Sequence, residues 1–117
     1  MKKVEAIIRK TKFDEVKEAL HDVGIEFITF WDVRGVGKQT EGRVYRGIAY
    51  DTSTIERVLI TFVCREKYLD VAIKTLLKSA KTGAIGDGKI FISEISDAYR
   101  IRTGEQGDKA MYLEGEE

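Results

Sequence analysis

Residues 57–80 read RVLITFVCREKYLDVAIKTLLKSA and divide into two halves whose apolar residues follow different periods. The first half, Arg57 to Cys64, is rich in β-branched and aromatic types, which predicts a strand. From Tyr68 to Ala80 the apolar residues recur three and four positions apart, which predicts an amphipathic helix. This stretch is therefore one βα unit. Cys64 stands alone inside the apolar run, which favours a small buried side chain over a disulfide half or a metal ligand.

A similar unit occupies the first third of the chain. Val4, Ala6 and Ile8 alternate with other residues, as in a strand, and a helical apolar pattern follows until Gly24 stops it. The predicted elements are, in order, a strand over 3–9, a helix over 12–23, a strand over 25–34 that ends at Gly35-Val36-Gly37, a strand over 57–64, a helix over 68–80 and a strand over 89–93. The order β-α-β-β-α-β predicts an α+β, ferredoxin-like split βαβ fold.

Composition limits the possible functions. The 117 residues are 43 % hydrophobic, which indicates one domain over 1–117, and a domain this small gains core by forming an oligomer. Twenty basic residues balance twenty acidic ones, which argues against nucleic-acid binding. No apolar run approaches the ~18 residues of a membrane span, and the charged start lacks the apolar core of a signal peptide, so we expect a cytoplasmic protein without membrane insertion.

A long segment between the second and third strands carries no clear secondary-structure pattern. Residues 38–54 contain glycine, charged residues and hydroxyls with little periodicity. They predict a long exposed loop that can continue the flanking strands as a ribbon at its base. Loops of this length in compact domains are usually functional or disordered.

A glycine-rich turn precedes the last strand. Residues 83–89 read GAIGDGK, so several backbone N–H groups without nearby Cβ atoms are followed by a cation, an arrangement that can hold phosphate. It is not a Walker A motif, since Ile90 follows Lys89, and by itself such a turn can be a plain connector. If the segment around Arg100 and Arg102 is extended, both guanidiniums lie on one face and can each bind phosphate; otherwise they are solvated edge charges.

The sequence lacks the parts of a nucleophilic enzyme. It has one cysteine, one histidine (His21) and no G-x-S-x-G elbow, so neither a serine nor a cysteine triad can be assembled. There is also no Cys/His cluster for a metal site made of side chains. These absences argue against a hydrolase.

Two motifs carry a resemblance to a known family. Residues 82–92 read TGAIGDGKIFI and residues 100–105 read RIRTGE, and together, at this spacing, they closely resemble the PII signal-transduction family. Residues 1–8, 14–20, 35–39 and 45–47 extend the resemblance over nearly the whole chain. It implies a homotrimer of ferredoxin-like subunits that binds ATP or ADP in each of three clefts between neighbours and that acts as a regulator, not as an enzyme.

The resemblance also implies which residues bind the ligands. The nucleotide residues it implies are Ile7, Thr29, Gly35, Gly37, Lys38, Gly86, Asp87, Gly88, Lys89, Arg100 and Arg102. Taken alone, Ile7 and Thr29 would be ordinary strand residues. 2-Oxoglutarate is expected beside ATP, with Mg²⁺ coordinated by the phosphates, the oxoacid and the amide oxygen of Gln39, since hard oxygen ligands suit this ion. Arg57, where lysine is usual, is expected to pair with the distal carboxylate of the oxoacid.

The long loop corresponds to the family's T-loop, here about 37–55, and about 104–117 forms a C-terminal tail. Tyr50 falls where some members are uridylylated. The targets that the resemblance implies are an ammonium transporter, enzymes related to glutamine synthetase, or nitrogenase.

The chain departs from the family's pattern in a loop one residue shorter and in Thr61, which stands where an acidic partner of the phosphate-binding lysine is frequent. These departures leave an alternative open: a PII-like paralogue that senses another anion or is a weak ATPase.

Overall fold

The computed structural model describes residues 1–36 and 56–112, together with the backbone of residues 44–45, 48–49 and 54–55. The elements are β1 (Lys2–Arg9), α1 (Phe13–Asp22), β2 (Thr29–Val36), β3 (Val44–Tyr45), β4 (Ile48–Ala49), β5 (Thr54–Cys64), α2 (Glu66–Ser79) and β6 (Gly88–Glu94), with 3-10 turns at Lys10–Lys12 and Gly107–Met111. The predicted α+β order is confirmed. The short strands β3 and β4 pair with each other.

The four long strands form one antiparallel sheet in the order β2-β5-β1-β6. This is the strand order of the ferredoxin-like fold. Ala6 lies opposite Ile60 on one side and Ile90 on the other, so the apolar residues of neighbouring strands share a face. Both helices pack on that face and bury it. The buried core residues are Val4, Ala6, Ile8, Val16, Leu20, Ile25, Val58, Ile60, Phe62, Cys64, Ala72 and Leu76.

The opposite face of the sheet, here called the helix-free face, is covered by no helix that the structure describes. The cross-strand register places Ile7 on it, between Leu59 and Lys89. The same alternation puts Trp31 and Phe91 on this face, 47 % and 53 % exposed respectively. Large aromatic side chains that are half exposed on one face are typical of an interaction surface.

Several predicted boundaries of the second and third strands are wrong. Residues 25–28 are not in β2: the φ of Gly24 is 93°, and the chain turns there so that the Ile25 N–H donates to the Leu20 carbonyl at 2.9 Å. At the other end β2 continues through Gly35 to Val36, because these residues pair with Ile55 and Thr54. The third strand therefore begins three residues before Arg57, and the ribbon expected at the base of the loop is confirmed.

The structure also gives the surroundings of Cys64 and His21. Cys64 is buried, as predicted, and burial raises the pKa of its thiol. His21 is exposed near the end of α1. In residues 1–36 and 54–112, no helix combines the length and the apolar character that a membrane span needs.

Gly88 begins β6 at a point where the backbones of β6 and β1 nearly touch. Its φ is 108°, and a Cβ atom built there would lie 1.7 Å from the Ile7 carbonyl oxygen. No side chain fits this space unless β6 moves away from β1. Gly83 has a comparable φ of 91°, but a Cβ there would meet nothing within 4 Å.

Alanine should lower the free energy of unfolding by different amounts at these two glycine positions. Gly83→Ala should lower the free energy of unfolding by about 1 to 2 kcal/mol, the strain of a positive φ at a residue with a side chain. Gly88→Ala should cost at least about 3 kcal/mol, since steric overlap adds to the same strain. Urea unfolding of both variants, at one protein concentration, measures the difference. Equal losses would show that the approach of Gly88 to Ile7 does not constrain the fold.

Candidate functional site

The glycine-rich turn is organised around the carboxylate of Asp87. This carboxylate accepts hydrogen bonds from the Thr82 N–H and the Gly83 N–H, both at 2.9 Å, from the Thr82 hydroxyl, and from Arg9 Nε at 3.0 Å. The bonds from the hydroxyl and N–H of Thr82, together with the Arg9 bond, hold the pKa of Asp87 well below its usual range. Asp87 is therefore ionised at neutral pH and ties both ends of the turn together.

Two arginines from the sheet hold the carbonyl groups of this turn. Arg9 Nη2 donates to the Ile85 carbonyl at 2.9 Å, and Arg57 Nη2 donates to the Gly86 carbonyl at 3.1 Å. In a planar trans peptide the C=O and the following N–H point in opposite directions. The N–H groups of Gly86 and Asp87 therefore point away from the arginines, and neither donates to a residue that the structure describes. Successive free N–H groups of this kind bind anions.

Lys89 adds a positive charge next to these N–H groups. It lies opposite Ile7 on the helix-free face, and its ammonium makes no hydrogen bond or ion pair with another described residue. Gly88 also lines a groove of about 600 Å³ between β6 and α2, on the helix side of the sheet, whose walls are mainly apolar. One end of the sheet thus combines N–H donors, a cation and apolar surface.

Arg100 and Arg102 lie in a tight turn, so the extended arrangement considered for them is wrong. The Arg100 N–H donates to the Glu105 carbonyl at 2.8 Å, and the Gly104 N–H donates to the Arg100 carbonyl at 2.7 Å, with a φ of 74° at Gly104. Tyr99 and Gln106 pair at the base of this turn. The turn holds Arg102 near its tip beside Ile101, which is fully exposed.

The two arginines of this turn have different surroundings. Arg100 Nη1 donates to the Glu105 carboxylate at 2.7 Å, and Arg100 Nη2 donates to the carbonyls of Ala110 and Tyr112. Arg102 is exposed and makes no hydrogen bond or ion pair with another described residue, although its charge helps to lower the pKa of Glu105, after the larger effects of the Thr103 hydroxyl and Arg100. Both arginines line a groove of about 850 Å³ with Phe27, which is 79 % exposed.

The glycine turn and the arginine turn lie at opposite ends of the sheet. Ile8 pairs with Gly88 at one end, and Lys2 pairs with Cys64 at the other. Ile8 lies six residue steps from Lys2 along β1, which is roughly 20 Å. The arginine turn is held at the Cys64 end, because Arg65 stacks on the ring of Tyr112 at 4.8 Å and Arg100 binds the Tyr112 carbonyl.

The remaining predicted site residues divide between these two ends or lie outside the described part. Gly35 is near the glycine-turn end of β2, and Thr29 begins the same strand at the other end, opposite Thr61. Both are exposed. Gly37, Lys38, Gln39 and Tyr50 lie outside the described residues, so their expected roles stay predictions. In the part of the chain that the structure describes, no three potential metal-ligating side chains cluster.

Comparison with known proteins supports the resemblance seen in the two motifs. A family profile described as Nitrogen regulatory protein P-II matches residues 1–105. The chain belongs to the P-II family of nitrogen regulatory proteins. P-II proteins of Bradyrhizobium diazoefficiens and Rhodospirillum rubrum are 47 % and 46 % identical to it over 112 residues, which is 95 % of this chain and 100 % of each relative. Nitrogen regulatory protein P-II 1 of Escherichia coli is 42 % identical with the same coverage.

Sequence reasoning missed several residues that shape the two ends of this P-II protein. Arg9 and Thr82 bind Asp87, and Glu105 and Tyr112 bind Arg100. No motif marks Arg9, since it is simply the last residue of a strand. A threonine five residues before an aspartate across a glycine-rich turn is a weak signal for a side-chain bridge, and it could have suggested the Thr82 contact.

The depressed pKa of Asp87 predicts a pH dependence of stability. The carboxylate is deprotonated more easily in the folded state, so its contribution is fully present above about pH 4 and is lost as the pH falls toward the lowered value. The difference in unfolding free energy between wild type and Asp87→Asn should therefore stay constant from about pH 6 to about pH 4 and shrink as the pH falls from about 4 to about 3.

Urea unfolding at a fixed protein concentration measures this difference. Asp70→Asn on α2 is a matched control, because Asp70 is exposed and makes no hydrogen bond or ion pair with a described residue. A difference between wild type and Asp87→Asn that stays constant across the range would contradict the role of the ionised carboxylate.

Proposed function

We propose that this chain is a signal-transduction protein that binds ATP or ADP and 2-oxoglutarate and passes the state of these ligands to target proteins through its T-loop, about 37–55. One observation carries the proposal: a turn with outward N–H groups and a Lys89 that pairs with no described residue at one end of the sheet, and an exposed Arg102 at the other. Both groups suit phosphate, but one subunit keeps them roughly 20 Å apart. The phosphate chain of one nucleotide is too short to contact both groups across that distance.

A neighbouring copy of the chain would bring the two groups together in one cleft. In the homotrimer that the resemblance implies, each cleft receives the glycine turn and Lys89 from one subunit and Thr29, Arg100 and Arg102 from the next. The helix-free face, with Trp31 and Phe91 about half exposed, supplies apolar surface for such an assembly. The fully exposed Ile101 beside Arg102 also suits burial against a neighbour.

The oxoacid site is proposed beside the nucleotide phosphates. Arg57 lies next to the glycine turn, and its guanidinium binds the Gly86 carbonyl, so a carboxylate held by Arg57 would be close to phosphates held by the turn. Since the described residues offer no cluster of metal ligands, Mg²⁺ would be held by oxygens of the nucleotide, the oxoacid and Gln39. When bound, Mg²⁺ supplies a local positive charge that binds the carboxylate and keto oxygens of the oxoacid.

The output is proposed to be non-enzymatic. Ligands that bind differently to two conformations of the T-loop shift the population between them, and each conformation would suit a different target. An ammonium transporter, an enzyme related to glutamine synthetase and nitrogenase are the target classes under this proposal. Uridylylation of Tyr50 would change the same segment. Relatives of this chain carry the name of regulatory proteins, which supports this proposal over an ATPase.

The first prediction from this proposal concerns phosphate contacts. Lys89→Ala and Arg102→Ala should each weaken ATP binding roughly 10- to 100-fold, since each removes a charge-assisted contact of about 1.5 to 3 kcal/mol. Lys74→Ala is the control: this exposed lysine on α2 lines neither groove. Calorimetric titration with MgATP measures the affinities. Unchanged ATP affinity in both variants would place the phosphate site elsewhere.

The second prediction concerns the effector. 2-Oxoglutarate should bind appreciably only with MgATP, because Arg57 and Gln39 alone offer one cation and one neutral oxygen to a hydrated dianion. By reciprocity, 2-oxoglutarate should tighten ATP binding by the same factor. Titrations with MgATP and with MgADP, repeated on Gln39→Ala and Arg57→Ala, measure this coupling. Equal oxoacid affinity with both nucleotides, or affinity indifferent to both substitutions, would favour a paralogue that senses another anion.

A further inference from the structure

We propose that Arg9 and Thr82 are positioning residues for the phosphate-binding turn: through Asp87 and the Ile85 carbonyl, they hold the Gly86 and Asp87 N–H groups toward the phosphate without touching it. This inference rests on the proposed function, because it takes the glycine turn to be the phosphate site. It adds two residues that neither of the motifs assigns to ligand binding.

The turn needs such support because its backbone is intrinsically free. Gly83, Gly86 and Gly88 all have positive φ values, between 91° and 108°. Glycine populates both signs of φ with similar ease, so an untethered turn would sample many orientations of its N–H groups. Fixing these groups before the ligand arrives removes an ordering cost from binding.

Arg9 suits the task because its guanidinium binds two different residues of the turn at once. Nε donates to the Asp87 carboxylate at 3.0 Å, while Nη2 donates to the Ile85 carbonyl at 2.9 Å. The side chain is only 21 % exposed, which limits its freedom. A lysine carries the same charge but lacks this fixed fork, so it cannot orient both groups together.

Arg57 holds the same turn through the Gly86 carbonyl, and unlike Arg9 it is also proposed to bind the effector. Arg9 and Arg57 are direct cross-strand partners on β1 and β5, a pairing of like charges that is unfavourable by itself. The Asp87 carboxylate beside Arg9 and the carbonyls of Ile85 and Gly86 compensate for it. If an effector carboxylate draws Arg57 away, Arg9 remains as the tether that does not depend on the effector.

Thr82 completes the tether without adding charge. Its hydroxyl donates to the Asp87 carboxylate and accepts from the Ala84 N–H at 3.2 Å, so it links the start of the turn to its end. Replacing this threonine with valine removes both bonds while leaving shape and net charge nearly unchanged. The substitution therefore separates positioning from electrostatic attraction.

The test is calorimetric titration of MgATP into wild type, Thr82→Val, Thr82→Ser and Arg9→Lys. Thr82→Val should weaken ATP binding about 3- to 10-fold, since it removes both hydroxyl bonds while the Thr82 N–H still holds the Asp87 carboxylate, and Thr82→Ser should restore it. Arg9→Lys should weaken binding although the charge is kept. Thr75→Val is the matched control, since its hydroxyl bonds the Val71 carbonyl on α2, away from the turn.

Asp87→Asn tests whether the Asp87 carboxylate strengthens or weakens ATP binding. Removing a negative charge next to bound phosphate should tighten ATP binding if only electrostatic attraction matters. Under the positioning role it should weaken binding, because the amide cannot accept all the bonds that the carboxylate accepts. Thr82→Ser and Arg9→Lys retain a hydrogen-bond donor at each position, so their ATP affinities test the positioning role even if Thr82→Val fails to fold.

The outcomes distinguish this inference from the function on which it rests. If wild type does not bind ATP, the proposed function fails and the inference fails with it. If wild type binds ATP, while Thr82→Val and Arg9→Lys bind it equally well and Asp87→Asn binds it more tightly, the nucleotide function stands and the positioning role is overturned. Weaker binding in Arg9→Lys and Asp87→Asn, with Thr82→Ser close to wild type, supports the positioning role.

Discussion

The close approach of Gly88 to the Ile7 carbonyl is the constraint on which the site depends. A Cβ atom at residue 88 would lie 1.7 Å from that oxygen, so β6 can begin there only with glycine. This contact fixes the register of β6 against β1 and thereby places the preceding turn beside Arg9 at the end of β1. The arginine contacts, the direction of the free N–H groups and the position of Lys89 all follow from this register.

A second consequence of the sheet geometry is that one subunit would hold only part of the proposed nucleotide site. β1 spans roughly 20 Å between the glycine turn and the end at which the arginine turn is held. The separation is built into the fold and is not a matter of side-chain choice, since Arg100 binds Glu105 and the Tyr112 carbonyl at the far end. Assembly of several copies and ligand binding are therefore expected to depend on each other.

Most of the fold could be predicted from apolar periodicity, but the second strand and the arginine turn show where such patterns fail. Ile25 is as apolar and β-branched as a strand residue, yet its N–H closes the end of α1, because a positive φ at Gly24 redirects the chain. Arg100 and Arg102 alternate as in a strand, yet contacts with Glu105 fold them into a turn. The role of Arg9 depends on a residue 78 positions away, which no local pattern encodes.

Mixing Lys89→Ala subunits with Arg102→Ala subunits tests most directly whether the site is shared between copies. The two variants are unfolded together, refolded as a 1:1 mixture and titrated with MgATP. If each cleft of a trimer takes Lys89 from one subunit and Arg102 from the next, random mixing gives about a quarter of all clefts both native residues, and these should bind ATP with wild-type affinity. If both residues act within one subunit, every site in the mixture keeps a defect. The absence of any wild-type-affinity site would then contradict the shared cleft.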